Sequence, residues 1–129
     1  MKSEIFAVDF DGTLCEEAWP GIGEPIHEMI NWIKQLKQMG HKVILWTCRE
    51  GTLLVDAIVW CADHGIFFDA VNDNLEENIN RFGNNCRKIF AHYYIDNRAV
   101  YPSGLPFIFE KSKHLKTKPL VDKDGYPIY

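Results

Sequence analysis

Short apolar segments that end in polar side chains alternate with helical stripes along this chain, and this alternation constrains the fold most. The four polar clusters that follow the predicted strands are Asp9/Asp11, Thr47/Arg49, Asn72/Asp73 and Asp96/Asn97. Helical stripes at 26–39 and 52–64 separate the first three strands. The pattern predicts an α/β fold, a Rossmann-like parallel sheet with helices on both faces. In such a sheet all four clusters meet at one edge, where α/β proteins place their ligands.

The chain has 129 residues, which suits one domain with a single core. We expect this domain to span 1–129, with its core at about 4–100. The remaining stretch, 101–129, is predicted to form an edge hairpin or a partly ordered tail. The sequence leaves 75–85 without an assigned element.

Composition excludes several classes of protein. The net charge of −4 argues against a dedicated nucleic-acid binder, although a terminal phosphate of a nucleic acid remains a compatible substrate. No apolar run approaches the roughly 18 residues of a membrane span, and no secretory leader is expected. The four cysteines lack the spacing of a zinc site, and together these features predict a cytoplasmic protein with reduced thiols.

The acidic residues at the strand ends indicate metal-assisted phosphate chemistry. Asp9 and Asp11 are one residue apart, and such a pair is unfavourable without a nearby cation or a shared proton. Together with Asp96 they offer the oxygen ligands that Mg²⁺ prefers. Thr47 offers a hydroxyl, and Lys88 offers a positive charge for a phosphate oxygen. A carboxylate beside such groups can act as a nucleophile on phosphorus.

These residues also occur in the order of a known set of motifs. The segment Asp-Phe-Asp-Gly-Thr at 9–13, an apolar strand ending in Thr47, and Lys88 followed by Tyr94-Ile95-Asp96-Asn97 resemble the four motifs of the haloacid dehalogenase (HAD) superfamily of phosphohydrolases. The resemblance covers 5–100. The spacings between the motifs leave no room for the cap domains of that superfamily, so the chain resembles a small capless member.

The resemblance implies a role for each motif residue. Asp9 would form an aspartyl-phosphate, and Asp11 would serve first as general acid and then as general base. Thr47 would bind phosphoryl oxygens, and Lys88 would steady Asp9 and the phosphate. The Mg²⁺ site would comprise Asp9, Asp11 and Asp96, together with Asn97 where the superfamily often has a second acid.

Further contacts with a small phosphorylated substrate are expected from Gly12, Cys48 and Arg49, although an arginine at the start of a helix is as often structural. The sequence is also compatible with a homo-oligomer. Two alternatives to a phosphomonoesterase stay open: a phospho-accepting, receiver-like regulatory protein, and a catalytically weak protein of the same fold that binds a partner.

Overall fold

A four-stranded parallel sheet forms the centre of the computed structural model, which describes residues 2–113 and 123–124. The strands are β1 (Ile5–Val8), β2 (Lys42–Leu45), β3 (Ala70–Val71) and β4 (Tyr93–Ile95), in the order β3-β2-β1-β4. The ends of the strands are in register, because Val8 pairs with both Leu45 and Ile95. The α/β fold predicted from the sequence, with its parallel sheet, is confirmed.

Within the described residues, four α-helices and one 3₁₀ helix connect or follow the strands. They are α1 (His27–Gln38), α2 (Gly51–Asp63), α3 (Glu76–Phe82), a 3₁₀ helix at Pro102–Gly104 and α4 (Leu105–Lys113). Only one helix, α1, separates β1 from β2, and no helix lies between 88 and 96. The described chain is therefore consistent with a Rossmann-like fold that lacks an inserted cap.

The two faces of the sheet have separate apolar cores. On one face, strand residues such as Val8 and Leu45 pack against α1 and α2, which contribute Ile33 and Cys61. The opposite face is smaller, and Ile44 packs there with residues from the chain around α3 and before β4. These residues are Leu75, Ile89 and Ala91. The alternation of side chains along β1 and β2 thus buries residues on both faces, as is typical of a parallel sheet.

Two of the strands are shorter than the sequence predicts. An apolar run at 66–71 predicts a full strand, yet only Ala70 and Val71 pair with β2. Phe67 is largely exposed, because the chain before Ala70 does not lie in the sheet. Likewise, Phe90 donates its backbone N–H to the side chain of Asn74 rather than to a neighbouring strand, so β4 begins only at Tyr93.

The chain divides into two compact units, and the boundary between them falls near residue 100, where the sequence predicts the end of the core. One unit spans Met1–Ala99 and the other spans Val100–Tyr129. Within the second unit the 3₁₀ helix and α4 form where the sequence predicts an edge hairpin or a partly ordered tail, so the hairpin prediction is wrong over 105–113. Most of the remaining tail lies outside the described residues. Among the described helices, none is both long and apolar enough to cross a membrane.

Candidate active site

The polar clusters that follow three of the strands meet at one edge of the sheet. The backbone N–H of Asp9 donates to the carbonyl of Ile95 at 2.9 Å, and that of Trp46 donates to Val8 at 2.8 Å. The chain therefore leaves β1, β2 and β4 at the same level. This register places Asp9, Thr47 and Asp96 within one cleft of about 320 Å³.

Most of the predicted site residues line this cleft. The structure brings together Asp9, Asp11, Thr47, Cys48, Asp96 and Asn97. Three further side chains line it that the sequence did not indicate: Glu17, Trp19 and Arg98. Glu17 and Trp19 belong to the irregular stretch between β1 and α1.

Asp9 is the acid of the cleft whose pKa is raised by its surroundings. The pKa of Asp9 is raised from 3.8 to about 6, mainly by burial and to a smaller extent by the charges of Asp96 and Asp11, while a hydrogen bond from the backbone of Phe10 opposes the increase. When the Asn97 amide nitrogen faces the acids, it donates to Asp9 Oδ2 at 3.1 Å and to Asp96 Oδ1 at 3.3 Å. Two carboxylates that share one donor repel each other, and a cation relieves this repulsion.

The oxygen ligands available here fit Mg²⁺. Among the described residues, no three side chains of His, Cys, Asp or Glu form a metal-binding cluster. Mg²⁺ does not need one, because proteins commonly hold it with one or two carboxylates while it keeps several waters. Asp9 and Asp96 supply two such carboxylates. A structural zinc ion, which takes four protein ligands, fits this set less well.

The raised pKa of Asp9 predicts that the metal-free protein loses stability as the pH rises. The folded state holds the Asp9 proton more tightly than the unfolded state does, so this contribution is lost between pH 4 and about pH 6. We expect Asp9→Asn to raise the free energy of unfolding by about 1 kcal/mol at pH 7.5, allowing for solvent screening of a partly exposed group. Urea denaturation in EDTA at pH 4.5 and 7.5 measures this, and the gain should shrink at pH 4.5. An equal or lower stability of the variant at pH 7.5 would contradict the prediction.

Asp11 forms the strongest ion pair of the site, and its partner is Arg49. The Arg49 guanidinium donates through Nε to Asp11 Oδ2 at 2.8 Å and through Nη2 to Oδ1 at 2.7 Å. This bond to Asp11 raises the pKa of Arg49, which stays charged although only 1% of its surface is exposed. Both oxygens of Asp11 are thus committed to Arg49. Delivery of a proton by Asp11 requires one of these two hydrogen bonds to open.

Arg49 lies beneath the cleft rather than in its lining. Its guanidinium also donates to the carbonyls of Pro20 at 3.2 Å and Gly21 at 2.7 Å. With these bonds and the pair to Asp11, its donors serve the protein itself. The structure therefore favours the structural role of Arg49 that the sequence left open over direct contact with substrate.

Thr47 is oriented by its neighbours so that its hydroxyl can still donate. The Thr47 Oγ1 accepts a hydrogen bond from the Arg49 backbone N–H at 3.1 Å, and the Thr47 N–H donates to Asn72 Oδ1 at 2.8 Å. Because the hydroxyl oxygen is the acceptor, its own hydrogen remains available to a phosphoryl oxygen. Asn72, at φ 50°, joins the end of β3 to the end of β2.

Lys88 is not among the residues that line the cleft. Its side chain is exposed, and its Nζ lies 5.6 Å from the centre of the Tyr94 ring. The cation that does line the cleft is Arg98, which pairs with Glu17 at 3.1 Å. Its backbone N–H also donates to Asp96 Oδ1 at 2.8 Å. The structure thus differs from the sequence prediction, which places Lys88 beside Asp9.

The path of the chain near Lys88 follows from one buried amide. The Asn74 side chain donates to Asn85 Oδ1 at 2.8 Å and to the Cys86 carbonyl at 3.0 Å, and it accepts from the Phe90 N–H at 2.7 Å. These bonds hold the segment 85–90 against the turn after β3. Asn74 therefore has a structural role.

Gly12 lies at the edge of the cleft, where the chain passes close to Asn97. Its φ is +80°, and a Cβ at this position would lie 2.3 Å from a terminal amide atom of Asn97. A side chain here would displace Asn97 from the two acids. Gly12 lines a neighbouring depression of about 250 Å³ together with Asp96 and Asn97. Its predicted contact with substrate stays a prediction.

Comparisons with known proteins give one informative match. No protein-family model matches the chain, and no curated protein matches it. Among solved structures, a protein described as a conserved protein coded by a locus from Bacteroides thetaiotaomicron is similar, with 35% sequence identity and a TM-score of 0.68. The match covers 91% of this chain and 100% of the other. The chain therefore belongs to the same family as this conserved Bacteroides thetaiotaomicron protein.

Proposed function

We propose that the chain is a Mg²⁺-dependent phosphomonoesterase that acts through an aspartyl-phosphate on Asp9. The observation that carries this proposal is the meeting of Asp9, Asp11, Thr47 and Asp96 in one cleft at the carboxyl edge of the sheet. The order of the motifs, which resembles that of the HAD superfamily, gives independent support. The expected substrate is a small phosphate monoester.

In the first half of the reaction, an oxygen of Asp9 attacks phosphorus and the bond from phosphorus to the ester oxygen breaks. Thr47 donates its hydroxyl hydrogen to a phosphoryl oxygen, and Asp11 supplies the proton that the leaving oxygen takes up. In the second half, water cleaves the acyl phosphate and its proton returns to Asp11. General acid–base catalysis of this kind contributes roughly 10²- to 10⁴-fold in rate.

The metal ion would be held by Asp9 and Asp96. The resemblance adds the main-chain carbonyl of Asp11, and Asn97 would orient a neighbouring water. When bound, Mg²⁺ would neutralise charge on the transferring phosphoryl group. All four cysteines are free, which supports a cytoplasmic location within this proposal.

Two observations favour the regulatory alternative, a phospho-accepting protein. Arg49 occupies both oxygens of Asp11, and Lys88 lies outside the cleft lining. Both features would slow hydrolysis of an aspartyl-phosphate once it has formed. A protein that accumulates this phosphate would behave as a phospho-accepting regulator rather than a phosphatase.

Metal removal tests the proposal and separates it from the alternative. With p-nitrophenyl phosphate at pH 7.5, we expect EDTA to reduce phosphate release at least about 100-fold, because the charge on the phosphoryl group is then left without its cation. Excess Mg²⁺ should restore the rate. Equal rates with and without EDTA would refute the metal dependence. A base-labile phosphoprotein that forms without phosphate release would favour the regulator.

A further inference from the structure

Trp19 is an exposed aromatic side chain at the candidate active site. It lies in the loop between β1 and α1 and lines the same cleft as Asp9 and Asp96. About 55% of its surface is exposed. Neither the proposed chemistry nor the metal site uses this indole ring. Its position beside the acids makes it available to the part of a substrate that carries the phosphate.

The indole ring is supported from behind by a buried cation. The Arg49 guanidinium carbon lies 5.1 Å from the centre of the Trp19 ring and also 5.1 Å from that of Phe10. The same guanidinium bonds the carbonyls of Pro20 and Gly21, the two residues that follow Trp19. Arg49 is itself held by Asp11. Ring and backbone are therefore fixed to the floor of the site, which lowers the entropy cost of binding a ligand to the ring.

The open side of the ring has room for a flat partner. Because the guanidinium covers one side of Trp19, its exposed surface belongs mainly to the other face and the ring edge. The cleft of about 320 Å³ falls at the small end of the range for ligand pockets. A base or aryl ring that stacks on an aromatic side chain in this way adds about tenfold or more in affinity.

We propose that Trp19 is a stacking platform that selects phosphate monoesters carrying a planar aromatic ring. This inference rests on the proposed function, because it places the phosphate at Asp9 and the ring of the same molecule on Trp19. Nucleoside monophosphates and aryl phosphates share the required chemistry. Sugar phosphates and aliphatic phosphates lack it.

Matched ligand pairs test the stacking contact. Binding is measured with the Asp9→Asn variant, called the binding form, because this substitution prevents turnover. The measurement is isothermal titration calorimetry in the presence of Mg²⁺. AMP is compared with ribose 5-phosphate, and phenyl phosphate with cyclohexyl phosphate, so that each pair differs in the aromatic ring. We expect the aromatic member of each pair to bind about tenfold more tightly. A preference in the first pair alone identifies nucleoside monophosphates as the ligand class. A preference in the second pair alone identifies aryl phosphates as the ligand class.

Variants of Trp19 assign the preference to this ring. We expect Trp19→Ala to abolish the preference while the affinity for ribose 5-phosphate changes less than twofold. Trp19→Leu keeps apolar cover over Arg49 and should also lose the preference, whereas Trp19→Phe should retain most of it. Trp32→Ala is the matched control, because Trp32 is equally exposed at 55% but lies on α1. A preference that survives both Trp19→Ala and Trp19→Leu would overturn the inference.

The outcomes also separate this inference from the proposed function. If the wild type hydrolyses all four ligands with equal KM and the binding form shows no preference, the function stands and the inference fails. If the binding form prefers AMP or phenyl phosphate through Trp19, yet the wild type releases no phosphate from them, the stacking site stands and the phosphatase proposal fails.

Discussion

Replacing Asp9 by asparagine is expected to reduce phosphate release at least about 10³-fold, because the amide cannot form the acyl phosphate. The measurement is the initial rate with p-nitrophenyl phosphate in Mg²⁺ at pH 7.5, extended to a panel of phosphorylated metabolites. Wild type should also trap phosphate on the protein in a rapid acid quench, and Asp9→Asn should not. A metabolite in this panel is identified as a substrate when wild type releases phosphate from it and Asp9→Asn does not.

Two controls keep the loss of activity interpretable. Without metal, Asp9→Asn is expected to be at least as stable as wild type at pH 7.5, because burial and its acidic neighbours raise the pKa of Asp9. A loss of activity in this variant would therefore not reflect unfolding. Asp73→Asn removes an acid that follows β3 but does not line the cleft, and it should retain wild-type turnover. A variant of Asp9 that still turns over at the wild-type rate would refute the nucleophilic role.

Replacing Arg49 by methionine is expected to lower the free energy of unfolding by about 3 kcal/mol. The variant leaves Asp11, whose side chain is only 17% exposed, without its partner. It also removes the donors to Pro20 and Gly21 and the cation between Phe10 and Trp19. Urea denaturation at pH 7.5 with EDTA, which keeps metal binding out of the comparison, measures the change.

The chain offers a matched control for this variant in Arg98. That arginine also forms an ion pair, with Glu17, but 76% of its side chain is exposed. Because exposed pairs contribute little, Arg98→Met is expected to change stability by no more than about 1 kcal/mol. If Arg49→Met lowers the free energy of unfolding no more than Arg98→Met does, the buried pair contributes no more to stability than the exposed pair, and the prediction is wrong.

Local sequence patterns predicted the helices that bury one face against the sheet, and they missed the helix that buries no residue. The stripes of α1 and α2 predicted both helices to within about a residue at each end. No residue of α3 is buried, so it offers no stripe. Its signals are two acids in the first turn, Arg81 in the last turn and Gly83 at φ 73°, which are weaker than a hydrophobic pattern.

The residues of the candidate active site also fall into two groups, those that the sequence located and those that it did not. Asp9 and Asp96 come directly after strands and Thr47 is the second residue after one, so the register of the sheet brings them together, as the sequence indicates. Trp19 and Lys88 lie in irregular segments whose paths depend on long-range contacts of Arg49 and Asn74. Such contacts join residues distant in sequence and leave no periodic pattern. A single sequence therefore does not locate these two side chains.

The short outer strands of the sheet have a consequence for aggregation. Within the part of the chain that the structure describes, β3 has two residues and β4 has three. An exposed row of unpaired backbone groups can template the addition of a strand from another molecule, and rows this short offer few such groups. We expect any self-association of this protein to proceed through side chains on its surface rather than by extension of the sheet.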